Sequence, residues 1–295
     1  MPAQSGRDPL KLLAVVAHPH DFTHCAGTCG IHMKMGDSVT VVTMTDGGRK
    51  HNERFLDEMS KPEHERDPAI LNQSIEEYAA AKARELHEVC AIFGVEDLRI
   101  LTMPEPFRLR RSPEAIDLIR DVILDVRPDV LITHAPYDTS PASISTHGRG
   151  SMLLNDHREC AITAMEAKLI AAEVADYESR IPPHRIAEVF YLGVDVPHDD
   201  VDVYIDIGEW KQQRVQAECM FKTQGQSDEF ARYRVEISAG GTGWWGRTNY
   251  AEGFVRAEPE TLPCLPVSAW AKVRATASRV DQLQHRAGQV KLGPQ

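Results

Sequence analysis

The chain lacks the features that would place it in a membrane, on a nucleic acid or in an oxidising compartment. None of its 295 residues belong to an apolar run of about 18, the length needed to cross a bilayer. Residues 1–11 are polar and contain no secretory signal. The chain has 33 basic and 44 acidic side chains, and this formal charge of −11 disfavours binding to a phosphate backbone. We therefore expect neither a membrane nor a nucleic-acid partner.

Cysteine is also scarce, and its spacing matches no motif for zinc or redox chemistry. The chain has six cysteines, of which Cys25 and Cys29 are four residues apart and no other pair follows at zinc-finger spacing. A chain of this length can bury enough apolar surface to fold without disulfides. We expect reduced thiols and a cytoplasmic protein.

Apolar runs and amphipathic segments alternate along the first two thirds of the chain. We predict strands at residues 11–17, 38–45, 97–102, 129–133, 188–192 and 201–206, and helices at 23–35, 73–93, 113–126, 156–174 and 208–221. This alternation predicts one Rossmann-like α/β domain over residues 1–295, with a mostly parallel sheet and helices on both faces. The part after about residue 223 is expected to be less regular, and residues 240–246 to be irregular.

The first predicted strand ends in His18, Pro19, His20 and Asp21. Ligands of open α/β sheets bind beyond the carboxyl ends of such strands. His18 and Asp21 could converge on one ion, because imidazole and carboxylate groups suit Zn²⁺ or a similar divalent metal. The alternative is a loop in which these residues only cap the following helix.

A second strand, at residues 129–133, also ends in a histidine, His134. A long connection containing His147 follows, and Asp156 and His157 then begin a helix. A loop of this length in a compact domain is typically functional or disordered. Asp156 could orient a neighbouring histidine, and the N-cap of its helix is an equal explanation.

Five segments in the same order resemble the LmbE/PIG-L family of zinc-dependent N-deacetylases. Residues 17–21 read Ala-His-Pro-His-Asp, where the family has Ala-His-Pro-Asp-Asp, and residues 25–27 read Cys-Ala-Gly. The other matching segments are residues 84–95, 128–134, 155–158 and 250–254. The resemblance covers residues 11 to 255 and implies a divergent member.

The resemblance implies three metal ligands, His18, Asp21 and His157, for Zn²⁺ or another divalent metal. All three residue types are intact. Two nitrogens and one carboxylate leave the fourth position of zinc to water, as in catalytic sites.

The chain departs from the family around the proton-transfer groups. His20 stands where the family has its general base, an Asp, and Phe22 where it has a Glu. His20 could act as the base, as a further metal ligand or as a hydrogen-bonded bystander. Leu154 stands where a histidine helps to stabilise the oxyanion, a loss that costs about 10²–10³ in rate unless His134 or His147 replaces it.

The substrate-binding candidates are Asp46, Arg49, Lys82 and His134. Asp46 and Arg49 lie where the family has a Gly-rich substrate loop, although a simple turn explains them equally. Lys82 replaces a substrate-binding arginine and keeps the charge without the planar fork. Trp244 and its neighbours in the Gly-rich segment could line a pocket or only anchor the loop.

These features favour a metal-dependent hydrolase of a C–N (amide) bond, an N-deacetylase or amidase acting on a small polar or sugar-linked substrate. The proposed catalytic residues are His20, His147 and Asp156. The alternative is a protein that has lost catalysis but still binds a metal and a ligand, because His20, Phe22 and Leu154 replace family residues. A nucleotide-binding enzyme is the weakest interpretation, because no Gly-x-Gly-x-x-Gly or P-loop follows the first strand. The sequence leaves open whether the chain forms a homo-oligomer.

Overall fold

A computed structural model describes residues 7–103, 111–137, 156–173 and 180–292. Two residues discussed above, His147 and Leu154, lie outside these ranges. Within them no helix is long and apolar enough to cross a membrane. All six cysteines are described, and none forms a disulfide.

The described strands form one seven-stranded mixed sheet in the order β3-β2-β1-β4-β5-β7-β6. They are β1 (Lys11–Val16), β2 (Ser38–Thr43), β3 (Asp97–Ile100), β4 (Val130–Thr133), β5 (Glu188–Leu192), β6 (Val203–Asp206) and β7 (Ala251–Arg256). Strands β1 to β5 pair in parallel, whereas β7 pairs antiparallel with both β5 and β6. The predicted α/β fold with a mostly parallel sheet is confirmed.

The α-helices connect and cover these strands. They are α1 (Ala26–Lys34), α2 (Glu53–Ser60), α3 (Pro68–Leu71), α4 (Ile75–Ile92), α5 (Pro113–Val126), α6 (Asp156–Ala171), α7 (Lys211–Met220), α8 (Asp228–Val235), α9 (Gly241–Trp245), α10 (Ala269–Thr276) and α11 (Arg279–Arg286).

Strand β1 lies inside the sheet, between β2 and β4, and is buried on both faces. Leu13 and Val15 pack into one apolar cluster with residues of α5 and α6, and Leu12 and Ala14 pack into the other with residues of α1 and α4. Burial of both faces explains why the sequence of β1 is continuously apolar. It also confirms helices on both faces.

Strands β1 and β4 are parallel neighbours, with Val15 opposite Thr133 in the register. Their carboxyl ends therefore meet at one edge of the sheet. The backbone N–H of Ala17 lies 3.3 Å from Nε2 of His134, so the residues that follow the two strands touch directly. This edge carries the candidate site.

The helix predicted at residues 23–35 begins later, because a 3-10 helix at Pro19–His24 precedes α1. Residues 46–72, where neither a strand nor a helix was predicted, contain α2 and α3. Residues 240–245 are helical rather than irregular, since a π-helical turn at Glu236–Gly240 runs into α9. They were not predicted as a helix because glycine has a low helix propensity.

The part after residue 223 contains four helices and strand β7 among the described residues. Strand β7 was not predicted, although residues 250–254 were recognised as a family segment. Its six residues, Ala-Glu-Gly-Phe-Val-Arg, do not alternate as a half-buried strand would. Their extended conformation results from pairing on both sides, with β5 and β6.

Candidate metal and active site

His18 and Asp21 occupy one tight turn directly after β1. The backbone N–H of Asp21 donates to the carbonyl oxygen of His18 at 3.1 Å, and the backbone N–H of His18 donates to Oδ2 of Asp21 at 2.8 Å. Pro19 begins the 3-10 helix, where its fixed φ suits the first position. The turn therefore holds an imidazole and a carboxylate side by side, with His18 Nδ1 and Asp21 Oδ2 3.2 Å apart.

His157, near the start of α6, completes a group of three candidate ligands. Its Nε2 lies 3.5 Å from Oδ1 of Asp21, and its ring centroid lies 6.0 Å from that of His18. One possible ligand atom from each of His18, Asp21 and His157 lies within 4.8 Å of the others. Two imidazoles and a carboxylate are a donor set that fits a divalent metal such as Zn²⁺. The side chain of His157 is 30% exposed, so the group is open to solvent on its side.

The electrostatics of Asp21 suit a ligand that must be ionised. Burial opposes its charge, but the surrounding histidines His157, His134 and His18 hold the pKa of Asp21 well below its usual range. The carboxylate is 5% exposed. Asp21 therefore carries a negative charge at neutral pH in a buried position.

His134 contacts both Asp21 and His157 of this candidate ligand group. It is fully buried, its Nε2 lies 3.4 Å from Oδ2 of Asp21, and its ring stacks on that of His157 with centroids 4.0 Å apart. Sequence reasoning proposed it as a substrate-binding or oxyanion-stabilising group. Its full burial and its ring contact favour a role in positioning Asp21 and His157.

Asp156 contacts the opposite nitrogen of His18. Its Oδ2 lies 3.1 Å from His18 Nε2 and 2.9 Å from the Nζ of Lys50. Burial acts to raise the pKa of Asp156, and the neighbouring His18 and Lys50 outweigh it and lower the pKa. These contacts favour the interpretation in which Asp156 orients a histidine.

Lys82 holds the loop after β2. It is 1% exposed, and its Nζ donates to the carbonyl oxygens of Gly47 and Lys50 at 3.0 and 2.5 Å. Asp46 accepts the N–H of Gly48 at 2.8 Å, as in a simple turn, and Arg49 is exposed. Sequence reasoning missed Lys50, a cation within the same Gly-rich loop.

His20 contacts residues of the helices α7 and α8. It is 4% exposed, and its Nε2 lies 2.7 Å from Oε2 of Glu218 on α7. A guanidinium nitrogen of Arg234 on α8 lies 3.4 Å from its Nδ1. Glu218, fully buried, also accepts from Arg214 at 3.1 Å. Glu218 and Arg234 were missed because they lie far along the chain, in helices whose patterns carry no sign of this site.

His20, Asp21 and His24 also present possible ligand atoms within 4.8 Å of one another. The guanidinium of Arg234 lies beside this second group. Burial and the cations around it lower the pKa of His24 to about 3, which shows how strongly the site disfavours a further positive charge. The arrangement speaks against His20 as a further metal ligand.

Glu252 on β7 anchors the start of α1. Its carboxylate accepts the backbone N–H groups of Gly27 and Thr28 at 2.9 and 2.7 Å, and the hydroxyl of Thr28 at 2.7 Å. This satisfies N–H groups that the first turn of a helix leaves without partners. The contact ties β7 to the element that follows the candidate metal turn.

The chain belongs to the PIG-L family, because the family pattern described as "PIG-L: GlcNAc-PI de-N-acetylase" matches residues 13–168. This stretch includes all three candidate ligands. A curated relative from Catenulispora acidiphila, 1D-myo-inositol 2-acetamido-2-deoxy-alpha-D-glucopyranoside deacetylase 2, is 28% identical over 64% of this chain. The match spans 62% of that relative, less than two thirds of its length. The deacetylase of the same substrate from Thermomonospora curvata is 27% identical over 66% of this chain and 74% of its own.

Solved structures show the same fold. The 4-carboxy-2-hydroxymuconate hydratase GalB from Pseudomonas putida KT2440 superposes with a TM-score of 0.65 at 19% identity, covering 87% of this chain and 100% of its own. The N,N'-diacetylchitobiose deacetylase from Pyrococcus horikoshii superposes with a TM-score of 0.63 at 20% identity, covering 84% of each chain. At these identities the likeness concerns the fold alone.

Proposed function

We propose that this protein is a metal-dependent N-deacetylase that hydrolyses an amide C–N bond in a small polar, sugar-linked substrate. Membership of the PIG-L family supports the reaction class, and the curated relatives are named as deacetylases of an acetamido sugar. The observation that carries the proposal is the convergence of His18, Asp21 and His157 within 4.8 Å. We place the reaction in the cytoplasm, in keeping with six cysteines that form no disulfide.

We assign the metal to His18, Asp21 and His157, with Zn²⁺ as the first candidate. A divalent cation there would act as a Lewis acid toward the amide carbonyl and would lower the pKa of water. His134 and Asp156 hold two of these ligands in position through the contacts described above. Partners of this kind fix the orientation of metal-ligating side chains.

We assign the proton transfer to Nδ1 of His20. Its Nε2 faces the carboxylate of Glu218 at 2.7 Å, so this nitrogen carries a proton, and in the neutral ring Nδ1 is then the acceptor. The contact of Nδ1 with Arg234 is long, at 3.4 Å, and a water molecule could replace it. Glu218 would thus hold the ring in the tautomer that general base catalysis requires.

The test combines metal analysis with a panel of substrates. The purified protein is stripped of metal, reloaded with Zn²⁺ and supplied with N-acetyl amino sugars and simple amides, and released acetate is measured. We expect turnover that requires the metal and is lost in His157→Ala. His64→Ala is the matched control, because the side chain of His64 is 80% exposed and outside the site.

Two outcomes would contradict the proposal. Stoichiometric metal binding without any turnover would instead support the lapsed binding protein, which the replacements at His20, Phe22 and Leu154 suggest. Because one structural neighbour is named as a hydratase, the panel also includes an unsaturated dicarboxylate. Hydration of that compound without deacetylation would assign the site to a different reaction.

A further inference from the structure

A cavity of about 280 Å³ lies between the segment after α9 and the two C-terminal helices, α10 and α11. It shares no residue with the group of His18, Asp21 and His157. The cavity is lined by Arg247, Ala271, Arg274, Ala275, Gln282, His285, Arg286 and Leu292.

Three arginines line this cavity, and none of them has an acidic partner in the part of the chain that the structure describes, although the protein as a whole is strongly acidic. The chain carries a formal charge of −11, and other arginines, such as Arg256, contact two carboxylates each. Among the described residues, no carboxylate lies within 4.0 Å of the guanidinium of Arg247, Arg274 or Arg286. Three cations gathered in one cavity without a counter-charge repel one another, and a bound anion would relieve that repulsion.

Aromatic faces hold two of these guanidiniums in place. Arg274 lies over the ring of Trp270 at 5.7 Å, and Arg286 lies over that of Trp244 at 5.3 Å. Such contacts attract a cation without neutralising it. The Nε of Arg274 is also buried and has no hydrogen-bond partner among the described residues.

His285 provides a second, independent observation. It is 4% exposed, and its Nδ1 lies 3.0 Å from the carbonyl oxygen of Val290. Because a carbonyl only accepts, Nδ1 donates to it, and the N–H of Leu292 lies 3.4 Å from the same nitrogen. The other ring nitrogen, Nε2, is buried and has no partner among the described residues. In the neutral ring Nε2 is then an acceptor, which the P–OH of a singly protonated phosphate or a water molecule would satisfy. A buried polar atom of this kind costs free energy unless a ligand or water satisfies it.

We propose that this cavity binds the phosphate group of a small phosphorylated molecule. The planar guanidinium presents paired N–H donors that match phosphate oxygens, and a phosphate ester carries about −1.5 to −2 charges at neutral pH, enough for several arginines. The volume of 280 Å³ lies just below the usual range of ligand sites, about 300–1,000 Å³, so the ligand is a small metabolite rather than a polymer. This site is independent of the proposed deacetylase function.

The test is calorimetric titration of the full-length, zinc-loaded protein with inorganic phosphate, glucose 6-phosphate, glucose and succinate. We expect saturable binding of the two phosphate compounds and none of glucose. Arg274→Gln and Arg286→Gln should each weaken binding about tenfold or more, because each removes charge-assisted hydrogen bonds. Arg286→Lys keeps the positive charge and loses the paired N–H donors of the guanidinium. It is the milder variant to use if Arg274→Gln fails to fold.

Two controls separate this cavity from other anion-binding surfaces. Arg279→Gln removes the same charge from an exposed position on α11 and should bind phosphate like the unchanged protein. His157→Ala should also retain binding, because phosphate attached to a metal at the candidate active site would be lost in that variant. The proposal would be overturned if Arg279→Gln weakened phosphate binding as much as the cavity variants, or if His157→Ala lost phosphate binding. It would also be overturned if the protein preferred succinate or bound no phosphate compound saturably.

Discussion

The rings of His134 and His157 stack with an interplanar angle of 14° and a centroid separation of 4.0 Å. One ring follows strand β4 and the other belongs to the first turn of α6. The stack fixes the plane of His157, whose Nε2 approaches Asp21 at 3.5 Å. A fully buried residue that is not itself assigned as a ligand thereby helps to shape the proposed metal site.

We expect His134→Ala to lower zinc affinity about 10–100-fold, the usual effect of removing a group that orients a ligand. The measurement is competition with a chelator of known affinity. His134→Phe keeps the ring stack and loses the nitrogen near Asp21, so the two variants separate stacking from polarity. His87→Ala, at an exposed position of α4, is the control. Unchanged affinity in both His134 variants would show that His134 has no part in holding the site.

We expect Glu218→Ala to destabilise the protein by roughly 3–5 kcal/mol, as removal of one partner from a buried ion pair does. Glu218 is fully buried between His20 and Arg214, which would remain charged or polar without a partner. Equilibrium unfolding in urea measures the loss. Glu209→Ala removes an exposed ion pair with Lys291 and should cost at most about 1 kcal/mol. Similar costs for the two variants would contradict this account of Glu218.

Asp37 should contribute stability that depends on pH. Burial acts to raise its pKa, but hydrogen bonds from Arg7, the N–H of Leu10 and His32 hold the pKa at about 2, below the usual value of 3.8. A lowered folded-state pKa stabilises the protein above the unfolded-state pKa, and this contribution is lost as the pH falls from about 4 through 2.

Asp37→Asn should therefore lower the free energy of unfolding at neutral pH by about 2 kcal/mol, and its deficit should shrink as the pH falls through that window. Urea unfolding at several pH values measures the difference between the two proteins. Asp57→Asn, at an exposed position of α2, should show no such deficit. A deficit for Asp37→Asn that is constant from pH 7 to 2 would rule out this linkage.

Two glycines of α9 should respond to alanine in opposite directions. A Cβ at Gly243 would lie 2.4 Å from the backbone oxygen of Asn249, so the chain must shift, and we expect a loss of about 1–3 kcal/mol. A Cβ at Gly241 meets nothing within 4 Å, and alanine there should add about 0.4–1 kcal/mol by restricting the unfolded chain. Thermal unfolding of both variants tests this, and the same sign of change for both would show that the packing around α9 differs.

Elements with strong local signals could be predicted from the sequence. Helix α5 spans the predicted residues 113–126, and Ser112 caps it by accepting the N–H of Ala115 at 3.2 Å. Strand β5 also has the predicted bounds, 188–192. Strand β7 was missed because pairing with β5 and β6 stabilises it more than its own sequence does. Helix α2 was also missed, although Asn52 caps it by accepting the N–H of Phe55.

The sequence by itself determined the residue types of the candidate metal site, since His18 and Asp21 share one turn and His157 begins a helix. It also determined the mostly parallel sheet. Apolar strands and amphipathic helices alternate along the chain, and each of these patterns is set by residues that are close together in the sequence. Only the tertiary structure decided that Glu218 and Arg234 contact His20, that Lys82 holds a loop, and that three arginines share one cavity. Those contacts join side chains far apart along the chain, and they depend on how helices pack against the sheet, which no local pattern encodes.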